Sequence, residues 1–501
     1  MSLGKADNGT VIDNRANFPQ GDLHFASADK VYEVPNAFPM WGVTYILGDI
    51  AEKNGSHGPD FSFIPRGDTS LEAIPGLDDV DLRELPRPIL LTIAQLCTHV
   101  PLLLRLLPLC ADFIFEGGST VPAGLRFVKG PEGMLKPSVR DSDLYETLGN
   151  NPWLPDEVKA VMLLNPGIQG HNPIVGEYVS KDRTHIWEYL RANSYIPWGH
   201  FAANMAQDAV RYSVRDLDME DVRGLRHLYY QRTYCRLAAD LNAGLEKRGL
   251  MSPMELEELR LDVLARLRRL MDAGGDPFFT ACLWGWNYGY DFSPSGFRLH
   301  ASHQQIHQQF ALIPARVQPV DASVPGMEYL PSYAAGDNVA WFATEYRRRY
   351  GVSFFDAYVH AIQENRRMDG RDDLPSSLVI EGDENAILFV PKAQRSQGEL
   401  QIMTLKPVSN ILEADLQMRQ TLDRLIFKAV RALDGLGARM ITCFEISGRF
   451  LDDPGQRLIY CFLPRHPRSP GAFSERQGRW ITGHFPEDYA RCCRDVLLRQ
   501  E

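Results

Sequence analysis

The sequence predicts an α+β fold in which one strand–strand–helix–strand–strand unit occurs twice. The strands form an antiparallel sheet flanked by helices, and an N-terminal extension precedes both copies. Three observations carry this. Apolar residues recur at helical spacing, as in Leu416, Leu422, Leu425, Ile426, Ala429, Val430 and Leu433. Short apolar runs, such as 386–390 and 440–446, are bounded by turn residues and read as strands. The same element order returns about 200 residues later, each copy ending in a proline after a strand, which marks a duplication.

In order, residues 1–60 are rich in Asn, Asp, Gly and Pro with short apolar bursts, and read as loops with a few strands. From about 80 to 115 the leucines fall at helical spacing. The run Ile89–Leu109 is interrupted by Gln95, His99, Pro101, Arg105 and Pro108, so it reads as buried helix and not as a membrane span. No chemistry-bearing constellation occurs in the first 175 residues. From His185 to Ala203 a strand, a Pro/Gly turn and a second strand form a hairpin in outline. A helix begins after Asp218, a good cap, and runs toward Gly249; a second spans 253–273. Strands at 278–286 and through residue 307 complete the first unit. The second has strands at 386–390 and 400–405, a helix at 414–436, and strands at 440–446 and 457–463. An amphipathic helix around 339–350 lies between them. The expected divisions are an extension over 1–180, a first unit over 181–318, a connecting segment over 319–378 and a second unit over 379–501.

The formal charge of −11 argues against a nucleic-acid binder, whose footprint would be basic. An anionic substrate would need a local cluster of cations, for which Lys392, Arg395, Arg465 and Arg468 are candidates. Eight scattered cysteines with no CxxC indicate neither a zinc ribbon nor a thioredoxin-like site, and fit reduced thiols in a cytoplasm. The first residues carry no apolar signal-peptide core.

The stretch Ser302-His-Gln-Gln-Ile-His-Gln-Gln-Phe310 is the most unusual in the chain. As a strand it puts His303, Gln305, His307 and Gln309 on one face, a polar row suited to meeting phosphate. As a helix it puts His303 and His307 four apart, a spacing that can hold a metal, although the HExxH glutamate is missing. The bland alternative is a solvated polar strand.

These residues resemble the histidine-triad superfamily, in its branch of galactose-1-phosphate uridylyltransferases and dinucleotide-tetraphosphate phosphorylases, whose chains carry two such repeats. Asn193–Phe201 is similar to the hairpin that opens the first repeat. Ser302 to Gln309 is similar to that family's S-x-x-H-x-H-x-Q. Leu463-Pro-Arg465 through Arg468, Gly471, Phe473, Glu475, Gly478, Ile481, Pro486-Glu487 and Ala490 resembles the C-terminal motif. The likeness covers roughly 180–501. It implies a nucleotidyltransferase or nucleotide-sugar phosphorylase in which His307 attacks the α-phosphorus and forms a nucleotidyl-histidine. Imidazole is largely neutral at pH 7 and so nucleophilic. Gln309 and Ser302 would donate to the phosphoryl oxygens. The contact set toward nucleotide would add Gln305, His303, Asn287, Asn193, Lys392 and Arg395. The ligands would be a nucleotide or nucleotide-sugar and a phosphorylated small molecule, with no nucleic acid and no membrane; a homodimer is compatible with the resemblance.

Departures accompany the likeness. Gln305 replaces the first motif His, and the CxxC that binds zinc with it is missing, so zinc is not expected. The second repeat's H-x-H falls on Arg457 and Ile459. No metal ligand set is therefore assigned, and magnesium is compatible without being indicated by any motif. Asn287-Tyr-Gly289 matches an Asn-x-Gly that precedes the motif, with a longer spacer. The losses also fit a catalytically lapsed nucleotide-binding relative; a nucleotide hydrolase is a third reading, which Gln309 opposes because glutamine there goes with transfer.

Overall fold

The structure, a computed structural model, describes residues 2–13, 30–61, 80–129, 135–163, 176–177, 185–187, 210–244, 250–289, 308–318, 329–452, 455–465 and 477–500. The elements that matter here are β1 (Val31–Pro35), β2 (Val43–Leu47), α1 (Arg87–Leu96), α2 (Val100–Cys110), α3 (Ser142–Gly149), α4 (Met219–Asp240) and α5 (Pro253–Asp272). They continue with β3 (Phe279–Gly289), β4 (Gln308–Pro314), α6 (Asp337–Tyr350), α7 (Phe354–Gln363), β5 (Val379–Gly382), β6 (Ala386–Phe389) and β7 (Leu400–Thr404). The chain closes with α8 (Leu416–Gly435), β8 (Met440–Ile446), β9 (Ile459–Pro464), β10 (Arg479–Thr482) and α9 (Pro486–Gln500).

The fold is α+β. A seven-stranded sheet of order β4-β3-β8-β9-β7-β6-β5 is antiparallel throughout. The β3–β8 pair stands second and third in this order, and from it each strand's sequence neighbour extends outward, β4 on one side and β9 on the other. The helices repeat this arrangement. Asp218 caps α4 and Asp415 caps α8, each side chain accepting a first-turn backbone N–H. Eight residues past each cap stand Arg226 and Asp423, and these corresponding positions meet, Nε to Oδ1, at 3.3 Å. Corresponding residues of two copies face each other when a two-fold relates them.

One sheet face packs on α4, α5 and α8. Cys282, Trp284, Trp286 and Tyr288 alternate along β3 into this core and meet Ile441, Cys443, Tyr460 and Phe462. The other face is covered only in part: α6, α7 and Phe38 lie over Ile387, Phe389, Met403, Ile446, Ile459 and Cys461. A separate core gathers Ile93, Leu103, Leu106, Leu107, Leu144 and Val158 from α1, α2, α3 and their neighbours.

Two expectations shift. The helix expected to run toward Gly249 stops at Asp240, with Asn242 in the left-handed region (φ 53°), which ends helical hydrogen bonding. Residues 30–61, placed with the N-terminal extension, join the second unit. There β2 runs parallel to β10, Thr44 Oγ1 donates to Gln394 O at 2.7 Å, and Asn36 Nδ2 donates to Ala393 O at 3.1 Å. Nothing in the local sequence marks a pairing partner more than 400 residues away.

Candidate functional site

Alternation along β3 decides the site. With Cys282, Trp284, Trp286 and Tyr288 committed to the helix-side core, the intervening Leu283, Gly285 and Asn287 are half-buried on the opposite face. Thr442 and Leu463, paired in register, continue that floor across β8 and β9. Cover from α6 and α7 fades at Phe444, which is partly buried against them. Among the described residues, no helix covers the floor toward β3 and β4.

Asn287 stands opposite Thr442, whose Oγ1 donates to Asn287 Oδ1 at 2.8 Å. That bond orients the amide, and its Nδ2 carries no hydrogen bond among the described residues. Two strand positions away, Gly285 leaves a gap. A Cβ there would meet only Cys443 O at 3.5 Å and Phe444 Cβ at 3.9 Å, ordinary contacts, so the fold does not require glycine. Gly289, which ends β3 at φ 73°, is different: a Cβ would lie 2.2 Å from Arg439 O and from Val214 Cγ2.

The expected site residues distribute as follows. His307, Ser302, His303, Gln305 and Asn193 lie outside the described residues. Gln309 is on β4 with its backbone opposite Gly285, and Gln308, the residue after His307, is opposite Trp286. Asn287 is on the same β3 segment. Arg465 follows β9 at this end of the sheet, its N–H donating to Met440 O at 2.9 Å and its side chain exposed.

Lys392 and Arg395, candidate phosphate-holding cations, are both engaged by neighbouring protein groups. Lys392 Nζ donates to Asn365 Oδ1 at 2.7 Å and to Arg366 O at 2.5 Å, and stands 3.6 Å from buried Glu487. Arg395 donates to Glu399 through Nη2 at 2.5 Å and Nε at 3.1 Å, and to Cys461 Sγ at 2.8 Å. Its guanidinium lies 4.2 Å from the Trp41 ring centre. Buried Glu399 needs a counter-charge more than solvent does, so this cation belongs to the fold. Arg457, in a position where the resembled motif has histidine, donates to Asp356 at 3.1 Å.

Sequence reasoning missed the network beneath the floor. Arg226 is fully buried and sits 4.5–5.2 Å from the ring centres of Trp284, Tyr230, Tyr460 and Tyr229. Its Nη2 donates to the Tyr460 hydroxyl at 2.6 Å and the Tyr230 hydroxyl at 2.9 Å. Tyr460 and Tyr229 donate in turn to Glu445 at 2.5 and 3.1 Å. Burial lowers the guanidinium's affinity for its proton, but Tyr230, Tyr460, Asp423 and Glu445 outweigh it and Arg226 stays charged. Burial pushes the Asp423 carboxyl up to about 6, against the opposing pull of Arg226 and Tyr230. Glu445 is raised by burial too. This network clamps β3, β8 and β9 to both long helices and fixes the floor's position. An arginine next to Leu225 on the apolar side of the helix was its one signal in the sequence.

Among the described residues, His185, Asp218 and Asp221 form a group that could hold a metal ion, with ligand-type atoms within 4.8 Å of one another. Both aspartates already serve α4's N-terminus: Asp218 accepts from Asp221 N at 2.9 Å, and Asp221 accepts from Asp218 N at 3.0 Å. Among the described residues no helix is long and apolar enough to cross a membrane.

No protein-family profile matches the chain, and no curated protein matches it. Solved structures do match. One is a GalT-like protein from Arabidopsis thaliana, 14% identical over 49% of this chain and 70% of that chain, TM-score 0.32. Another is an ADP-glucose phosphorylase from Arabidopsis thaliana with bound ADP-glucose, 14% identical over 49% of this chain and 66% of that chain, TM-score 0.32. A third is a uridylyltransferase, 12% identical over 50% of this chain and 69% of that chain, TM-score 0.34.

Proposed function

We propose that this chain is a nucleotidyltransferase or nucleotide-sugar phosphorylase that works through a nucleotidyl-histidine at His307. The observation that carries it is the register of β4: the residue following His307 pairs with Trp286, immediately beside Asn287, at the uncovered part of the sheet. A His307 ring nitrogen attacks the α-phosphorus; the N–P bond forms as the P–O bond to the leaving phosphate breaks. An oxygen of the incoming phosphate then attacks, and the P–N bond breaks. Gln309 and Ser302 donate to the phosphoryl oxygens, joined by the Asn287 Nδ2 that Thr442 holds in place. Arg465, exposed at this end of the sheet, supplies the cation that Lys392 and Arg395 do not. His303 and Gln305 flank the nucleophile, and Asn193 contributes from the opening hairpin.

A second reading has one observation in its favour. Arg457 occupies a place where the resembled motif has histidine, and it is taken up by Asp356, as a lapsed nucleotide-binding relative would allow. Incubation with α-labelled nucleoside triphosphates and nucleotide sugars separates the two. Acid-labile label on the wild type that vanishes in His307→Asn is expected; tight nucleotide binding without label would support the lapsed relative instead.

A further inference from the structure

On the helix side of the sheet, away from the Asn287 floor, a cavity of about 340 Å³ opens between the turn before α4, the outer side of α8 and the end of α9. Three cations line it: Arg215, Lys428 and Arg431. Its walls include Leu217, Phe427 and Leu497. In a chain of net charge −11, three like charges in one concavity oppose folding unless something answers them. The protein answers them in part. Lys428 is 3.8 Å from Glu381, whose other oxygen is held by Arg424, and Arg431 is 3.5 Å from Asp434. Arg215 is exposed and makes no hydrogen bond or close ion pair among the described residues, sharing Asp434 with Arg431 only at longer range. The one carboxylate in the lining, Asp218, is directed to α4's first turn by its bond from Asp221 N.

We propose that this cavity is a second ligand site, for a small molecule that carries a phosphate group on an apolar or aromatic body. The cations take the phosphate, with Arg215 and Arg431 able to bind oxygens in pairs. Leu217, Phe427 and Leu497 take the body, and the volume lies at the lower end of small-molecule sites, roughly 300–1,000 Å³. A phosphorylated lipid offers the same headgroup, but a concave site suits a free molecule better than a flat membrane.

The proposal does not rest on His307, and its test keeps the two apart. Phenyl phosphate is titrated calorimetrically into wild type, His307→Asn, Arg215→Glu and Arg431→Gln, with inorganic phosphate as the comparison and circular dichroism confirming the fold. Expected are binding in the wild type and His307→Asn alike, tighter for phenyl phosphate than for phosphate. Each arginine variant should lose at least about tenfold in affinity, the worth of one charged hydrogen-bonding partner. Unchanged affinity in both arginine variants overturns the proposal, as does loss of binding in His307→Asn alone. Binding to phosphatidylglycerol vesicles that phenyl phosphate fails to displace overturns the small-molecule assignment.

Discussion

Replacing Gly285 by valine separates the site from the scaffold that holds it. Glycine in a strand interior costs about 0.5–1 kcal/mol relative to a residue with a side chain, through backbone entropy. The space at 285 admits a Cβ at 3.5 and 3.9 Å from its nearest neighbours, so no steric term opposes the Cβ itself. Valine also suits a half-buried strand position. Gly285→Val is therefore expected to be as stable as wild type, or more stable by about 0.5–1 kcal/mol, in urea titrations followed by tryptophan fluorescence. Its two methyl groups would stand on the open floor, opposite Gln309 and two residues from Asn287. A displacement of about 1 Å in a reacting group can cost ~100-fold, so acid-labile nucleotide labelling should fall by about that factor or more. Wild-type labelling in a stable Gly285→Val would show that the floor is not where the phosphate lies. A large loss of stability would show that the floor is packed, and the reasoning from its openness would fail.

Two further substitutions probe the frame. Gly289→Ala, four residues along the same strand, should destabilise by about 2–4 kcal/mol, because it combines a positive φ with contacts of 2.2 Å to Arg439 O and Val214; a stability within 1 kcal/mol of wild type in the same titration would contradict this (~1 kcal/mol being the ordinary cost of a point change). Asp423→Asn tests the buried network through pH. The carboxyl's folded value, about 6, exceeds its ordinary 3.8, so the folded state binds the proton more tightly. The stabilisation this brings is present below about pH 4 and lost as pH rises through 6. Wild-type stability relative to Asp423→Asn should thus fall by about 3 kcal/mol between pH 4 and 7, at ~1.4 kcal/mol per unit. A pH-independent difference between the two proteins would count against it.

What the sequence determined by itself was the face of each element. The stripe from Leu422 to Leu433 places these residues in the core, as the structure does, and the strand expected at 278–286 is present as Phe279–Gly289. The cap at Asp218 was legible for the same reason, because a cap bonds within its own first turn. Asn287 was legible through its Asn-x-Gly, and Gln309 through its motif. Gly285 and Thr442 were not, since neither belongs to a local pattern. Tertiary structure alone decided which strands are neighbours, which part of the sheet the described helices cover, and which charges are taken. Arg395 and Arg465 both follow a strand and look alike in sequence; packing gives the first Glu399 and leaves the second at the open end of the sheet. Arg226 finds Asp423 from 197 residues away. Side-chain periodicity reports an element's own geometry, whereas a charge is satisfied by whatever the fold brings within a few ångströms, and chain separation says nothing about that distance.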